Sequence, residues 1–416
     1  MTDIFAAETE QHLLDAVRWA TAEEQALGVA GGGSKAAFGR PADVSRRLDV
    51  KAMSGVVKYE PEELVLSVRA ATPLAQIETL MGERRQWLAF EPPDLGPLLG
   101  AGGGDDSDKR AGTLGGVLAC NLAGPRRVQV GAARDHLLGF QGVSGRGEVF
   151  KSGGRVVKNV TGFDLSKLIC GSYGTLAVMT EVTVRALPAA EETRTVLVLG
   201  LADDQGVAAM TRALQGPFDI SGAAHLPAAV AARSGVAAVA GAGGAVTALR
   251  IEGPESSVAA RARAARDVLA GFGELAELDA GDSAVLWREV RDVQAFVGDD
   301  QGAEKPVWRV SVPPAAGARV AGAILGAVAG EVLYDWSGGL LWLALEPAAD
   351  AHEALVRGAL GADGGHATLI RAPVEARARV SVFQPQPAAL AAVTRRVKEG
   401  FDPKRVLNPG RMYEGL

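Results

Sequence analysis

The sequence predicts an α+β chain in three parts: residues 1–187, an α/β domain on a largely antiparallel sheet over 188–365, and a tail over 366–416 that packs back on the first part. Three observations predict it. Ahead of residue 180, three glycine clusters each adjoin an extended apolar segment, a pattern that exposes main chain rather than side chains. After Pro188 the chain turns alanine-rich and alternates strand-like with helix-like segments. The final segment closes with a helical stretch, then Phe401-Asp402-Pro403 and Leu407-Asn408-Pro409-Gly410, a tail suited to docking on an existing core.

Residues 8–27 read as a helix, with Leu13, Leu14, Val17 and Ala20 at helical spacing. Residues 27–30 are a short apolar segment running into glycine, and 64–68 read as a strand. Thr72 before Pro73 reads as an N-cap with proline at the first helical position, opening a helix to about Arg85. Residues 87–90 read as a strand stopped by Pro92-Pro93. Residues 96–110, glycine-rich and then charged, read as a mobile insertion. Residues 178–187 alternate as a strand. Beyond Pro188, strands over 195–199, 246–251, 307–312, 331–336 and 340–345 interleave with helices over 205–214, 256–269, 318–328 and 352–360. A last helix covers 387–399.

A chain of 416 residues is long enough for two or three cores, and 48% hydrophobic with 22% charged residues is a soluble globular composition. The net charge of −6 and 5% aromatic content argue against a nucleic-acid surface. The two cysteines, Cys120 and Cys170, are too few for an iron–sulfur cluster, which takes about four, and their scarcity fits a reducing compartment. Residues 1–11 carry Asp3, Glu8 and Glu10 with no apolar run, unlike a signal peptide. The Ala/Gly-rich stretches 234–249 and 320–330 fall short of the roughly 20 apolar residues that span a bilayer. A cytoplasmic protein is expected.

Gly31-Gly32-Gly33-Ser34-Lys35 is either a phosphate cradle, its successive N–H groups forming a positive concavity, or a flexible turn. It is not a P-loop, because Ser34 stands where that loop's lysine belongs. No glycine triplet at i, i+2, i+5 occurs, so the Rossmann fingerprint is missing, which argues against an ordinary nicotinamide enzyme. The stretch 112–135 combines Gly112, Gly115, Gly116, Gly124 and Gly131 with Thr113, Asn121, Arg126, Arg127 and Asp135. Those groups suffice to hydrogen-bond a ring edge and a phosphate. Gly171-Ser172-Tyr173-Gly174-Thr175-Leu176-Ala177-Val178 alone is a hairpin signal, but with the other two clusters it points to one large cofactor lying along several loops.

On these residues, together with Lys158-Asn159-Val160-Thr161-Gly162-Phe163-Asp164 and the 401–410 segment, the sequence resembles flavoproteins with a PCMH-type (vanillyl-alcohol oxidase-like) FAD-binding domain. Within them it is most similar to a family of FAD-binding subunits of bacterial glycolate oxidase. The resemblance runs over most of the chain. It implies a two-lobed FAD-binding domain, a cap domain over 188–365, and Gly31, Gly32, Gly33, Ser34 and Lys35 wrapped around the FAD diphosphate. Thr113, Leu114, Gly115, Gly116, Asn121, Gly124 and Arg126 would flank diphosphate and isoalloxazine, with Asp135 fixing the loop beneath. Gly174, Thr175, Leu176, Ala177 and Val178 would meet the flavin or ribityl chain, and Asn408 would approach the ring from the tail. The implied partners are the oxidase's larger flavoprotein subunit, which holds a metal motif, and its iron–sulfur subunit. Such a complex oxidises glycolate to glyoxylate and passes electrons toward quinone, which allows association with the inner face of the membrane.

Metal-dependent relatives carry a histidine-rich motif in the C-terminal half. Here the histidines are His12, His136, His225, His352 and His366, no two within five residues of each other, so no metal site is expected. His136 reads as structural and His366 as the one candidate site histidine, while Arg371 and Arg309 are candidates for a substrate carboxylate. Trp336 and Trp342 read as core or pocket. No catalytic base is named by the sequence. Two alternatives stay open: a free-standing FAD-dependent 2-hydroxyacid (D-lactate-type) dehydrogenase, and a non-catalytic assembly subunit. Lys35 stands where some relatives carry a flavin-linking histidine, so FAD is expected to be non-covalent. Acid precipitation should therefore leave the yellow colour in the supernatant; colour pelleting with the protein contradicts it.

Overall fold

The computed structural model describes all residues except 1–2, 43, 45, 101–111, 155–162 and 299–304. Most of the expected insertion, and Lys158 to Gly162 of the family-specific run, lie outside the described residues. The chain forms two compact units. The first takes in residues 1–123, 132–189 and 385–416; the second takes in 124–131 and 190–384.

The first unit holds two main sheets. Strands β1 (Asp3–Ala6), β2 (Leu27–Ala30) and β3 (Arg46–Asp49) form a parallel sheet in the order β1-β3-β2. The helix Glu10–Glu23 supplies Leu13, Leu14, Val17 and Ala20 to its core, where they meet Leu27, Leu48, Val406 and Leu407. This helix is shorter than the apolar periodicity because Thr9 caps its start, accepting from His12 N at 3.2 Å, and Glu24 ends it with a left-handed φ of 52°.

The second sheet is antiparallel. It contains β4 (Val56–Glu60), β5 (Val65–Arg69), β7 (Leu137–Ser144), β8 (Val149–Gly153) and β9 (Ala177–Arg185), in the order β4-β5-β9-β7-β8. Of the strand expected at 87–90, only Trp87 pairs: with Gln86 it forms β6 (Gln86–Trp87), against β10 (Leu187–Pro188). Thr72 does not cap the next helix. Pro73, at φ −59° and ψ 141°, takes the cap position of Leu74–Gly82, while the Thr72 hydroxyl donates to Arg69 O at 2.7 Å and accepts from Gly55 N at 2.9 Å.

The second unit is one eight-stranded antiparallel sheet, β14-β11-β13-β12-β16-β17-β15-β18. Its strands are β11 (Glu192–Leu199), β12 (Ile220–Leu226), β13 (Val246–Gly253), β14 (Glu274–Leu278), β15 (Val307–Ser311), β16 (Gly330–Asp335), β17 (Leu340–Leu345) and β18 (His366–Arg371). β12 and β17 are buried along their whole length, so both faces of the sheet are covered there. Residues 366–384, expected with the tail, belong to this unit because β18 pairs with β15 along its length. Residues 124–131, expected with the first domain, also pack here: Trp336 Nε1 donates to Gly124 O at 3.1 Å.

In the first unit the helix Ala388–Phe401 returns the chain to the parallel sheet, and one buried ion pair holds it there. Lys398 Nζ donates to Asp402 Oδ2 at 2.7 Å, to Thr175 O at 2.6 Å and to Leu407 O at 3.0 Å. Asp402 in turn accepts from Val406 N and Leu407 N. Every charge in this knot has hydrogen-bond partners, so removing one member strands the other. Asp402→Ala should lower the unfolding free energy by about 3–5 kcal/mol. Neutralising the exposed Lys305–Glu346 pair should shift it by less than about 1 kcal/mol; urea titration of both variants measures the difference.

Candidate cofactor site

The site grows from the end of β2. Past Ala30 the chain leaves the sheet through three glycines, with Gly33 at φ +79°. Among the described residues, none of the five consecutive amides from Gly31 to Lys35 has a hydrogen-bond acceptor. Two turns then reverse the chain, Ala36 N donating to Gly33 O and Phe38 N to Lys35 O, each at 3.1 Å. Lys35 is 7% exposed, and among the described residues its ammonium makes a single hydrogen bond, to Ser34 Oγ at 3.3 Å. Burial pushes its pKa down, with Cys120 and Asp94 opposing and Arg411 adding to the shift. Five free amides and a nearly dry cation form a strong concavity for an anion.

The second ribbon lies against the first. A Cβ on Gly31 would sit 3.3 Å from Thr113 Oγ1, and Cβ atoms on Gly112 and Gly116 would sit 3.8 and 3.9 Å from Lys35 Nζ. Thr113 caps the helix Leu114–Cys120, its hydroxyl accepting from Gly116 N at 3.2 Å. The amides of Leu114 and Gly115 are already engaged, donating to Thr72 O and Ala70 O. A Cβ on Gly115 would come within 2.6 Å of Ala70 O, so glycine here allows backbone to touch backbone. Leu114, Gly115 and Gly116 thus contribute close approach rather than free N–H groups.

The third ribbon closes on the end of that helix. Gly171 N donates to Leu118 O and Tyr173 N to Ala119 O. The Phe38 and Tyr173 rings meet edge-on at 5.2 Å, joining this turn to the first loop. Ser172 Oγ is buried with no hydrogen-bond partner among the described residues, and the Thr175 hydroxyl is turned inward onto Ser172 O. Leu176, Ala177 and Val178 are buried where β9 begins, and Val178 packs in the core beside Val143.

Several expected contacts act one step further out. Asn408 has its whole amide engaged by protein: Oδ1 accepts from Val29 N at 2.9 Å, and Nδ2 donates to Tyr173 O and Gly174 O. It ties the first ribbon to the third. Asn121, at φ +49°, accepts from Arg134 N and from the Cys170 thiol. Asp135 accepts from Ala132 N at 2.8 Å and closes its own turn. Arg411, absent from the sequence-based expectations, donates to Lys35 O and Phe38 O and braces the first loop. No local motif marks it; its partners lie more than 370 residues away.

Gly124 and Arg126 sit in the second unit. The Arg126 guanidinium grips Glu252 with two bonds of 2.9 Å, so it is engaged by protein rather than open to a diphosphate. Burial raises the Glu252 carboxyl, but Arg250 and Arg126 outweigh it and bring the group to about 2. Arg371 is buried and donates to Phe296 O and Lys305 O, and burial lowers it to about 10. His136 is buried against Phe90, and His225 lies between Thr247 and Asp203. Both cysteines are free and buried, with the Cys170 thiol pushed up to about 12 by burial. Among the described residues, no group of three or more His, Cys, Asp or Glu could hold a metal ion, and no helix is long and apolar enough to cross a membrane.

An FAD binding domain model matches residues 3–153. The fold resembles p-cresol methylhydroxylase, solved with substrate bound, at a TM-score of 0.71 with 15% identity over 98% of this chain and 88% of that one. Fold and site thus define an FAD-binding flavoprotein of the PCMH type, in the FAD-dependent oxidoreductase class. Glycolate oxidase subunit GlcE of Escherichia coli (strain K12) is 33% identical over 406 residues, 98% of each chain. Glycolate oxidase subunit GlcD of Bacillus subtilis (strain 168) is 30% identical over 149 residues, covering 36% of this chain and 29% of that one. The chain belongs to the family of the glycolate oxidase subunit GlcE.

The Arg126–Glu252 pair separates scaffold from site. Because Glu252 lies below its ordinary value of 4.5 in the fold, its stabilisation is complete above that value and is lost as the pH falls toward about 2. Arg126→Gln should flatten this acid-side loss and cost about 3–5 kcal/mol at neutral pH, while flavin content per folded chain stays unchanged. Urea unfolding across pH 3–7 with flavin absorbance checks both.

Proposed function

We propose that the chain is the FAD-binding subunit of a glycolate oxidase complex, which oxidises glycolate to glyoxylate and passes electrons through an iron–sulfur subunit toward quinone. The observation that carries the cofactor half of this reading is the run of open amides at residues 31–35 beside the nearly unbonded Lys35 ammonium. The full-length likeness to a glycolate oxidase subunit supports the complex and its substrate. Partnership with a GlcD-type flavoprotein, and membrane association through the complex, belong to the same proposal.

In this reading the amides of Gly31, Gly32, Gly33, Ser34 and Lys35 donate to the diphosphate, and the Lys35 ammonium neutralises its charge. Thr113, Gly115 and Gly116 let the second ribbon approach, and Leu114 anchors it below. Ser172 Oγ and the main chain of Gly174, Thr175, Leu176, Ala177 and Val178 line the third side. Asn121, Asp135 and Asn408 hold these ribbons in register without touching the cofactor. When bound, FAD supplies the two-electron acceptor for oxidation at the hydroxyl-bearing carbon. The chain contributes fixed dipoles and a dry cation that need no rearrangement on loading.

Purified alone, the chain should show flavin absorbance that glycolate does not bleach. Bleaching without other subunits would favour a free-standing 2-hydroxyacid dehydrogenase, and a chain that neither carries nor binds FAD would favour an assembly subunit. Lys35 adds a sharper test. Its pKa is depressed in the empty fold and an anion raises it again, so binding favours the protonated amine. FAD affinity should fall as pH rises through the lowered Lys35 pKa toward 10.5. Lys35→Met should weaken FAD at least about tenfold and abolish that slope; an unchanged slope by equilibrium dialysis removes Lys35 from the site.

A further inference from the structure

Alternation along β3 sends its two arginines to opposite faces of the parallel sheet. Arg46 and Leu48 turn toward the helix Glu10–Glu23: Arg46 lies 4.6 Å over the Trp19 ring and 5.1 Å over Phe5, and Leu48 joins the core. Arg47 and Asp49 take the other face, where Arg47 Nη2 lies 3.6 Å from Asp49 Oδ2. The glycine loop folds over that same face. A Cβ on Gly33 would sit 3.6 Å from Arg47 Nη2. The strand register accounts for this approach, because Arg47 pairs with Gly28 on β2, the strand that runs into the loop. Arg47 Nε is buried with no hydrogen-bond partner among the described residues, although the side chain as a whole is 42% exposed. A desolvated N–H donor without an acceptor is costly in an empty fold, and this one stands beside the open amides of residues 31–35.

We infer that Arg47 is a second cation for the diphosphate of the cofactor, acting from the β3 side of the loop while Lys35 acts from the side of the helix Leu114–Cys120. The inference rests on the cofactor reading above and adds to it a residue that no glycine motif contains. Each phosphate of a dinucleotide diphosphate carries one negative charge at neutral pH, so Lys35 alone leaves one charge unmatched. Arg411 is directed instead to the carbonyls of Lys35 and Phe38. Arg47 is placed to supply the match, and its planar fork suits two phosphate oxygens. Asp49 positions that fork. Its Oδ1 is fixed by accepting from Lys51 N at 2.8 Å, and at 3.6 Å its Oδ2 attracts the guanidinium without forming a hydrogen bond to it. The arginine is thereby kept against the loop with donors left for an anion.

Riboflavin, which has the ring and no phosphate, provides the control. The full chain, freed of flavin by dialysis against potassium bromide, is titrated with FAD and with riboflavin by equilibrium dialysis. Arg47→Met should weaken FAD about tenfold, leave riboflavin within about twofold, and make FAD affinity less sensitive to salt. Arg47→Lys should recover most of the FAD affinity, because it restores the charge without the fork. Asp49→Asn gives a readout of opposite sign in a chain that keeps its arginine. It retains an acceptor for Lys51 N and releases the guanidinium, so it should tighten FAD about threefold and leave riboflavin unchanged. FAD affinity unaltered in either Arg47→Met or Asp49→Asn, or equal weakening of FAD and riboflavin by Arg47→Met, overturns the assignment. A wild-type chain that binds no FAD sinks the cofactor reading itself; one that binds FAD with Arg47→Met unaffected sinks this inference alone.

Discussion

The first unit depends on how closely peptide backbone approaches peptide backbone around Lys35. Gly115 lies against Ala70 O with no room for a Cβ, and Gly31 faces the Thr113 hydroxyl. These approaches place a lysine amine where water is scarce and protein acceptors are few. A buried cation with one weak hydrogen bond among the described residues is an unfavourable arrangement in isolation, and an anion at that point reverses the sign of its contribution. The glycines and the lysine therefore work as one device: the glycines create the narrow, dry space, and the space makes the charge effective.

Around this device the chain uses its other polar groups as braces. Asn408, Asn121, Asp135 and Arg411 have their bonding capacity largely directed to backbone groups of the ribbons. Such side chains determine the geometry of a site without appearing at its surface. Lys398 and Asp402 do the same for the tail, at the depth where an unpaired charge would be most costly.

Much of this is legible in the sequence, for identifiable reasons. The three glycine clusters signal their turns by composition alone, and β17 has the ends the sequence predicts because an unbroken apolar run fixes a central strand. Distances across the chain are not legible. Nothing near Arg126 announces Glu252, so sequence alone points that arginine at the cofactor; nothing near Arg411 announces Lys35, so sequence alone passes it over. β18 reads as part of the tail because its pairing with β15 is a long-range fact. Thr72 misleads because Thr-Pro before a helix normally reads as cap and first turn, whereas here the hydroxyl is engaged by Arg69 and Gly55.

The clasp formed by Asn408 has a consequence for biosynthesis. It joins Val29 to the turn at Tyr173 and Gly174 across a separation of 379 residues from the first of these. At a translation rate of about 5–20 residues per second, the glycine loop that follows Val29 leaves the ribosome tens of seconds before its clasp exists. Until then the glycine loop is a nascent segment without its lock. Closure of the ribbons is thus a late event in the life of each molecule, timed by the emergence of an asparagine rather than by the loop that it fastens.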